Sequence, residues 1–137
     1  MIGGMGGNPL ISIVLTTFNS ETTISRVLEG IVNQDFPLRH VELIMVDGGS
    51  KDSTLDIARK FIEKHRDAFN RVELVVHDRN YGVSKARNDG IRLAKGKYIL
   101  ILDHDVILAR DTLRTLYDYL EKSPGRVLCV TPLHVTI

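Results

Sequence analysis

One cysteine, Cys129, is present among 137 residues. That excludes an internal disulfide framework and any cysteine-rich zinc module, and it suits a reducing compartment. Neither sign of charge predominates, with 18 Lys and Arg against 17 Asp and Glu for a net charge of +1. A chain so balanced has no bulk electrostatic pull toward nucleic acid or an anionic membrane. No apolar run approaches the ~18 residues that a membrane helix needs. The glycine-rich start, Met1 to Asn8, lacks both the basic start and the apolar core of a signal peptide. It reads as a flexible leader, outside the fold. Common active-site signatures are missing too. No G-x-G-x-x-G follows the first apolar run, and there is neither H-E-x-x-H nor G-x-S-x-G. The stretch from Gly90 to Gly96-Lys97 is one residue too long for a P-loop, and Tyr98 stands where Ser or Thr is required.

What remains is 43% hydrophobic and 26% charged, enough for one globular domain over residues 9–137. Leu10 to Leu15 is a short, nearly continuous apolar run, as expected of a strand buried on both faces. Ile24, Val27, Leu28, Ile31 and Val32 then recur at helical spacing, with Asn19 or Ser20 as the expected cap. Val41 to Val46 forms a second strand, stopped by Asp47-Gly48-Gly49-Ser50. Ser53 and Asp56 resemble a capping box for the helix that carries Ile57, Phe61 and Ile62. Val72 to Val76 is a third strand, and Ser84 to Ala94 a helix that Gly96 is expected to end. Tyr98 to Leu102 is a fourth strand. Asp111 caps a helix bearing Leu113, Leu116, Tyr117 and Leu120. Val127 to Val130 begins a fifth strand. Strands alternating with helices predict an α/β domain with a mainly parallel sheet.

Ligands of such sheets bind beyond the carboxyl ends of the strands. Four segments lie there: Thr16-Thr17-Phe18-Asn19, Asp47-Gly48-Gly49-Ser50, His77 to Gly82, and Asp103-His104-Asp105. In extended chain Asp103 and Asp105 face the same way. Two such carboxylates suit a hard divalent cation shared with a phosphate, or equally a turn with a capping aspartate. Alternation turns His104 away from such a cation. Among the six cations between Arg79 and Lys97, Lys85 or Arg87 is placed to meet a diphosphate. Arg92, Lys95 and Lys97 read as a solvated face.

These motifs resemble family 2 glycosyltransferases of the GT-A fold. Ile13 to Asn19 is similar to their first strand and loop, and Val46 to Thr54 to their second, acidic loop. Asn80-Tyr81-Gly82, Ala86-Arg87-Asn88-Asp89-Gly90 and Ala94 to Tyr98 match their third block. Leu102-Asp103-His104-Asp105 resembles the D-x-D motif that closes it. The four occur in order over about residues 11 to 106.

The resemblance implies a three-layer, Rossmann-like α/β sandwich and a nucleoside-diphosphate sugar donor, linked to UDP or GDP. It places Thr16, Thr17, Phe18, Asn19 and Ser20 with Asp47 and Gly48 around the nucleoside. Phe18 supplies the aromatic that packs on the base. Lys85, Arg87, Asp103 and His104 complete the donor site, and Asp103 and Asp105 hold Mn²⁺ or Mg²⁺. Gly48 replaces a second acid that often reads the base edge. The transfer is expected to invert the sugar. The family's acceptor half and catalytic base are expected to lie beyond the chain's last residue. On that expectation the chain alone binds nucleotide without turnover and associates with itself through uncovered surface. The expected location is cytoplasmic, or the cytoplasmic face of a membrane through later segments. A nucleotidyltransferase-like enzyme and a non-catalytic α/β interaction domain are the alternatives.

Overall fold

β1 (Ile11–Thr17) and β2 (Val41–Asp47) are buried at every residue, which is why both read as unbroken runs. They form the centre of a sheet that also contains β3 (Arg71–Val76) and β4 (Tyr98–Asp103). The computed structural model describes residues 7–123. The expected fifth strand and Cys129 lie outside that range. Strand order is β3-β2-β1-β4, and every pairing is parallel. The chain therefore steps from β1 outward to β3, then returns to the other side of β1. That reversal sets a crevice between the ends of β1 and β4, where Thr16 is in register with Asp103.

Helices cover both faces. α1 (Ile24–Val32), α2 (Thr54–His65) and α4 (Thr112–Lys122) cover one face. There Ile13, Leu15, Leu43 and Met45 pack with Ile24, Leu28, Ile31 and Leu113 in the main core. On the other face α3 (Val83–Leu93) sets Ala86 against Ile44 and Val46. Leu28 and Ile44 are fully or almost fully withdrawn from water, each burial being worth about 1.5–3 kcal/mol. β4 is at the edge, and its α3-side residues Ile99 and Ile101 remain 43% and 45% exposed. Among the described residues no helix is long and apolar enough to cross a membrane.

Several local expectations need correction. α1 starts at Ile24 with Thr23 as its cap, not Asn19 or Ser20, and no side chain bonds to that end. Ser53 does cap α2, but its side chain makes no capping bond. Asp52 does this work, accepting hydrogen bonds from the backbone and hydroxyl of Thr54. α3 ends at Leu93 with Ala94 as the cap, so Gly96 does not stop it. A methyl carbon on Gly96 would sit 2.6 Å from the backbone nitrogen of Ser12. Glycine there lets the start of β4 close on β1.

α3 is held at its lower end by a buried acid. Glu42, 0% exposed, accepts hydrogen bonds from the Ser12 hydroxyl at 2.6 Å and the Lys95 backbone at 2.8 Å. Its other oxygen meets the Arg71 guanidinium at 2.6 Å, and Arg71 also donates to Leu93 O. At mid-helix, a methyl carbon on Gly90 would lie 2.4 Å from Val14 Cγ1. Glycine to alanine ordinarily stabilises a helix interior by about 0.5–1 kcal/mol. Gly90→Ala should instead destabilise by about 1–3 kcal/mol, because α3 must lift from the sheet. Urea unfolding measures the sign. Glu42→Ala should cost about 3–5 kcal/mol in the same experiment, since it strands Arg71 and two backbone or hydroxyl donors.

Candidate functional site

The first and second strand ends form one cross-linked structure. Asp47 is the last residue of β2 and is 0% exposed. Its Oδ1 accepts hydrogen bonds from the Thr17 hydroxyl at 2.7 Å and the Ser50 hydroxyl at 2.6 Å. Its Oδ2 accepts from the backbone of Gly49 at 3.0 Å and Ser50 at 2.7 Å. Both oxygens are thus saturated from within the protein. Gly49 holds φ +89°, which a side chain would strain, and this turns the two N–H groups inward.

The loops are tied together elsewhere as well. Asn19 sits at φ 46°, a conformation asparagine tolerates. Its backbone donates to the Ser50 hydroxyl, and its side chain accepts from Lys51 N. Ser20 N donates to the Thr54 hydroxyl at 2.7 Å. The Ser20 hydroxyl accepts from Phe18 N and donates to Phe18 O, so it shapes the turn that presents Phe18. Thr16 and Thr17 belong to β1 rather than to a loop, and both are buried. Of this group Phe18 and Asn19 are exposed, Phe18 by 39%.

Phe18 faces Gly48. A methyl carbon on Gly48 would lie 3.2 Å from Phe18 Cδ1 and 3.5 Å from Asn80 Oδ1. Phe18, Gly48 and Asn80 therefore converge on one spot. In the sequence Asn80 is marked only by its place in Asn80-Tyr81-Gly82. Its Oδ1 accepts from Gly82 N at 2.9 Å, which closes the turn into α3.

The fourth strand end departs from expectation. Asp103 is the last residue of β4, and the chain turns at His104 and Asp105. Val106 N donates to Asp103 O and closes that turn. The extended geometry that would align the two acids is absent. The His104 carbonyl accepts from the Thr23 hydroxyl at 2.7 Å, which ties the turn to the start of α1. Its ring Nδ1 is buried, with no partner among the described residues.

Arg87 meets Asp103 Oδ1 at 2.8 Å, and both side chains are partly exposed. Arg87 Nε is buried, with no partner among the described residues. Lys85 belongs to the opposite side of α3, where its ammonium pairs with Asp89 at 3.0 Å. The structure thus brings Arg87, but not Lys85, to Asp103. Lys97 pairs with Glu121 far from the site.

Mg²⁺ is held by six oxygen ligands in near-octahedral geometry. Among the described residues no group of three or more His, Cys, Asp or Glu side chains could hold a metal ion. Asp105 is exposed, and Asp103 meets Arg87 through Oδ1 rather than Oδ2, so a cation held at this turn would draw most of its ligands from a bound diphosphate and water.

The sequence profile of glycosyl transferase family 2 matches residues 12–136. A poly(ribitol-phosphate) beta-glucosyltransferase of Bacillus spizizenii is 37% identical over 120 residues, covering 85% of this chain and 18% of that protein. An uncharacterized glycosyltransferase of Haemophilus influenzae is 34% identical, covering 82% of this chain and 42% of its own. This chain therefore spans less than half the length of these curated relatives. The crystal structure of Staphylococcus aureus TarS 1-349 with UDP superposes with a TM-score of 0.72 at 28% identity, covering 88% of this chain and 38% of that one. The mannosyltransferase PcManGT of Pyrobaculum calidifontis, with GDP-Man and Mn²⁺, gives 0.77 at 30% identity, covering 88% and 34%. The parallel sheet and its covering helices are those of GT-A glycosyltransferases.

Two predictions follow from the geometry. Asp47→Ala strands four donors and should destabilise by about 3–5 kcal/mol in urea unfolding. Asp47→Asn should cost less, about 1–3 kcal/mol, because its amide still accepts at one end while opposing N–H groups at the other. The carboxyl of Asp89 is held below its ordinary value of 3.8, first by the Lys85 hydrogen bond and then by His77. Folding favours its ionised form, so its stabilising effect is full at neutral pH and fades as pH falls through the lowered value. The stability gap between wild type and Asp89→Asn should therefore close in strong acid, as urea titrations at successive pH values would record.

Proposed function

The chain belongs to glycosyl transferase family 2, and on that premise we propose that it binds the donor of a sugar transfer, a nucleoside-diphosphate sugar. The observation that carries this reading is that the carboxyl ends of the parallel strands present two chemically distinct groups of residues. Phe18, Gly48 and Asn80 converge at one end. Arg87, Asp103 and the Asp105 turn lie at the other, beside the reversal of strand order.

Each end suits one part of the donor. A partly exposed ring over a glycine floor accepts the flat face of a base. The Asn80 amide offers a donor and an acceptor to the base edge, which compensates for the acid that Gly48 lacks. Thr16, Thr17, Ser20 and Asp47 hold this end in shape from beneath. Asp103 meets the ribose or a cation-bound phosphate, and Asp105 is the principal cation ligand. Arg87, always charged and already at Asp103, is the α3 cation for the diphosphate. Lys85 lies outside that contact, and His104 serves through its anchored backbone. When bound, Mn²⁺ or Mg²⁺ neutralises charge on the departing diphosphate.

The neighbours support this donor class. TarS has been solved with UDP and with UDP-GlcNAc, and PcManGT with GDP-Man and Mn²⁺.

Calorimetric titration of UDP and GDP, with and without Mn²⁺, tests the proposal. Binding should require the cation and fall at least about tenfold in Asp105→Ala, a loss of about 1.4 kcal/mol. Preference for nucleoside triphosphates would favour a nucleotidyltransferase instead. No binding of either kind would favour an interaction domain.

A further inference from the structure

His77 follows β3 and touches three parts of the cleft's frame. Its backbone N–H donates to Asp47 O at 2.9 Å. Its carbonyl oxygen lies 3.1 Å from where a Gly49 methyl carbon would stand, so it packs against the second loop. Its ring reaches α3, where Nε2 is 2.8 Å from Asp89 Oδ2. The same ring takes the edge of Tyr81 at 5.5 Å between centroids. The side chain is only 8% exposed, and its Nδ1 is buried with no partner among the described residues.

Tyr81 is the neighbour of Asn80. Its hydroxyl donates to Asp78 at 2.6 Å, and Arg79 and Lys85 lie over its ring at 5.0 and 5.7 Å. Loop 78–82 is exposed throughout. The Arg79 backbone packs beside Gly49, and the Tyr81 edge on His77 adds a contact to a buried side chain. The loop's position over Gly48 therefore depends in part on where the His77 ring stands.

We infer that His77 is a positioning residue for nucleoside binding. Held by Asp89, it braces Tyr81 and so sets Asn80 at its distance from Gly48 and Phe18. This rests on the donor-site reading above and adds a residue that never touches the nucleotide. Nε2 faces the Asp89 carboxylate at 2.8 Å, a group that accepts, so the ring donates through that nitrogen. The opposite side of α3 carries Arg87 to Asp103, so the brace acts on the base end and leaves the diphosphate end alone.

The test separates the two ends. UDP, GDP and inorganic pyrophosphate are titrated into the 137-residue chain with Mn²⁺, using wild type, His77→Ala and His77→Gln. His77→Ala should weaken UDP and GDP about tenfold, the scale of one lost buried polar contact, while leaving pyrophosphate unchanged. His77→Gln keeps a donor for Asp89 but no ring against Tyr81, and should recover only the part of the loss that the Asp89 contact carries. The Asn80 side-chain amide resonances, shifted by UDP in the wild type, should shift less in His77→Ala. An unchanged nucleotide affinity in His77→Ala overturns the inference alone, as does an equal loss of pyrophosphate binding. A wild type that binds pyrophosphate but neither nucleotide overturns the donor-site reading and the inference with it.

Discussion

The buried carboxylate of Asp47 is the constraint on which the candidate site depends. An ionised acid with no exposure is costly unless its acceptor positions are filled. Here a strand hydroxyl, a loop hydroxyl and two backbone amides fill them. The amides belong to a tight turn that glycine at position 49 makes possible. Satisfying one charge therefore fixes the end of β1, the end of β2 and the turn after β2 relative to one another. Asn19, Ser20 and Asp52 add bonds across the same seam. Phe18 stands exposed at the end of this frame, its backbone held by the Ser20 hydroxyl. Asp47 acts as an organiser of the cleft, and its place in an acidic loop gives no hint of that from sequence.

A second constraint sets the other end. Parallel strands that step one way and then return create a gap at the reversal, and the ends of the flanking strands open into it. The reversal alone does not bring a cation there. α3 does so because it lies close to the sheet. Gly90 lets it sit against Val14, and Glu42 clamps the turn after it through Lys95 and Arg71. Arg87 then reaches Asp103 from one side of the helix. Residues with no part in the cleft thus determine whether its two charged groups meet.

The fold was largely legible from the sequence, because buried parallel strands are written as apolar runs and amphipathic helices as spaced apolar residues. Leu10 to Leu15 and Val41 to Val46 mark β1 and β2 to within two residues. Caps were less legible. Ser53 and Asp56 have capping-box spacing, yet Asp52 accepts the bonds, because two adjacent polar residues compete and local φ/ψ decides. At β4 an apolar run goes with partial exposure, since Ile99 and Ile101 remain 43% and 45% exposed. In the site, residue types at strand ends were legible and their partners were not. Arg87 and Lys85 look equivalent in sequence, two positions apart. A helix sends side chains at that spacing to different faces. One therefore finds Asp103 and the other finds Asp89.

That divergence on α3 divides the cleft by task. Arg87 is tied to the acids at the end of β4, where charge must be balanced. Lys85 and Asp89 are tied to His77 and Tyr81 at the end of β3, beside the segment that carries Asn80. A small rotation of the helix would move both sets together, in opposite senses relative to the strands. The contacts that prevent rotation, Gly90 on Val14 and Ala86 on the sheet, are apolar and close. Packed surfaces of that kind admit few intermediate positions. The two groups of strand-end residues are therefore set by one rigid element, and the spacing between them is a property of the fold before any ligand arrives.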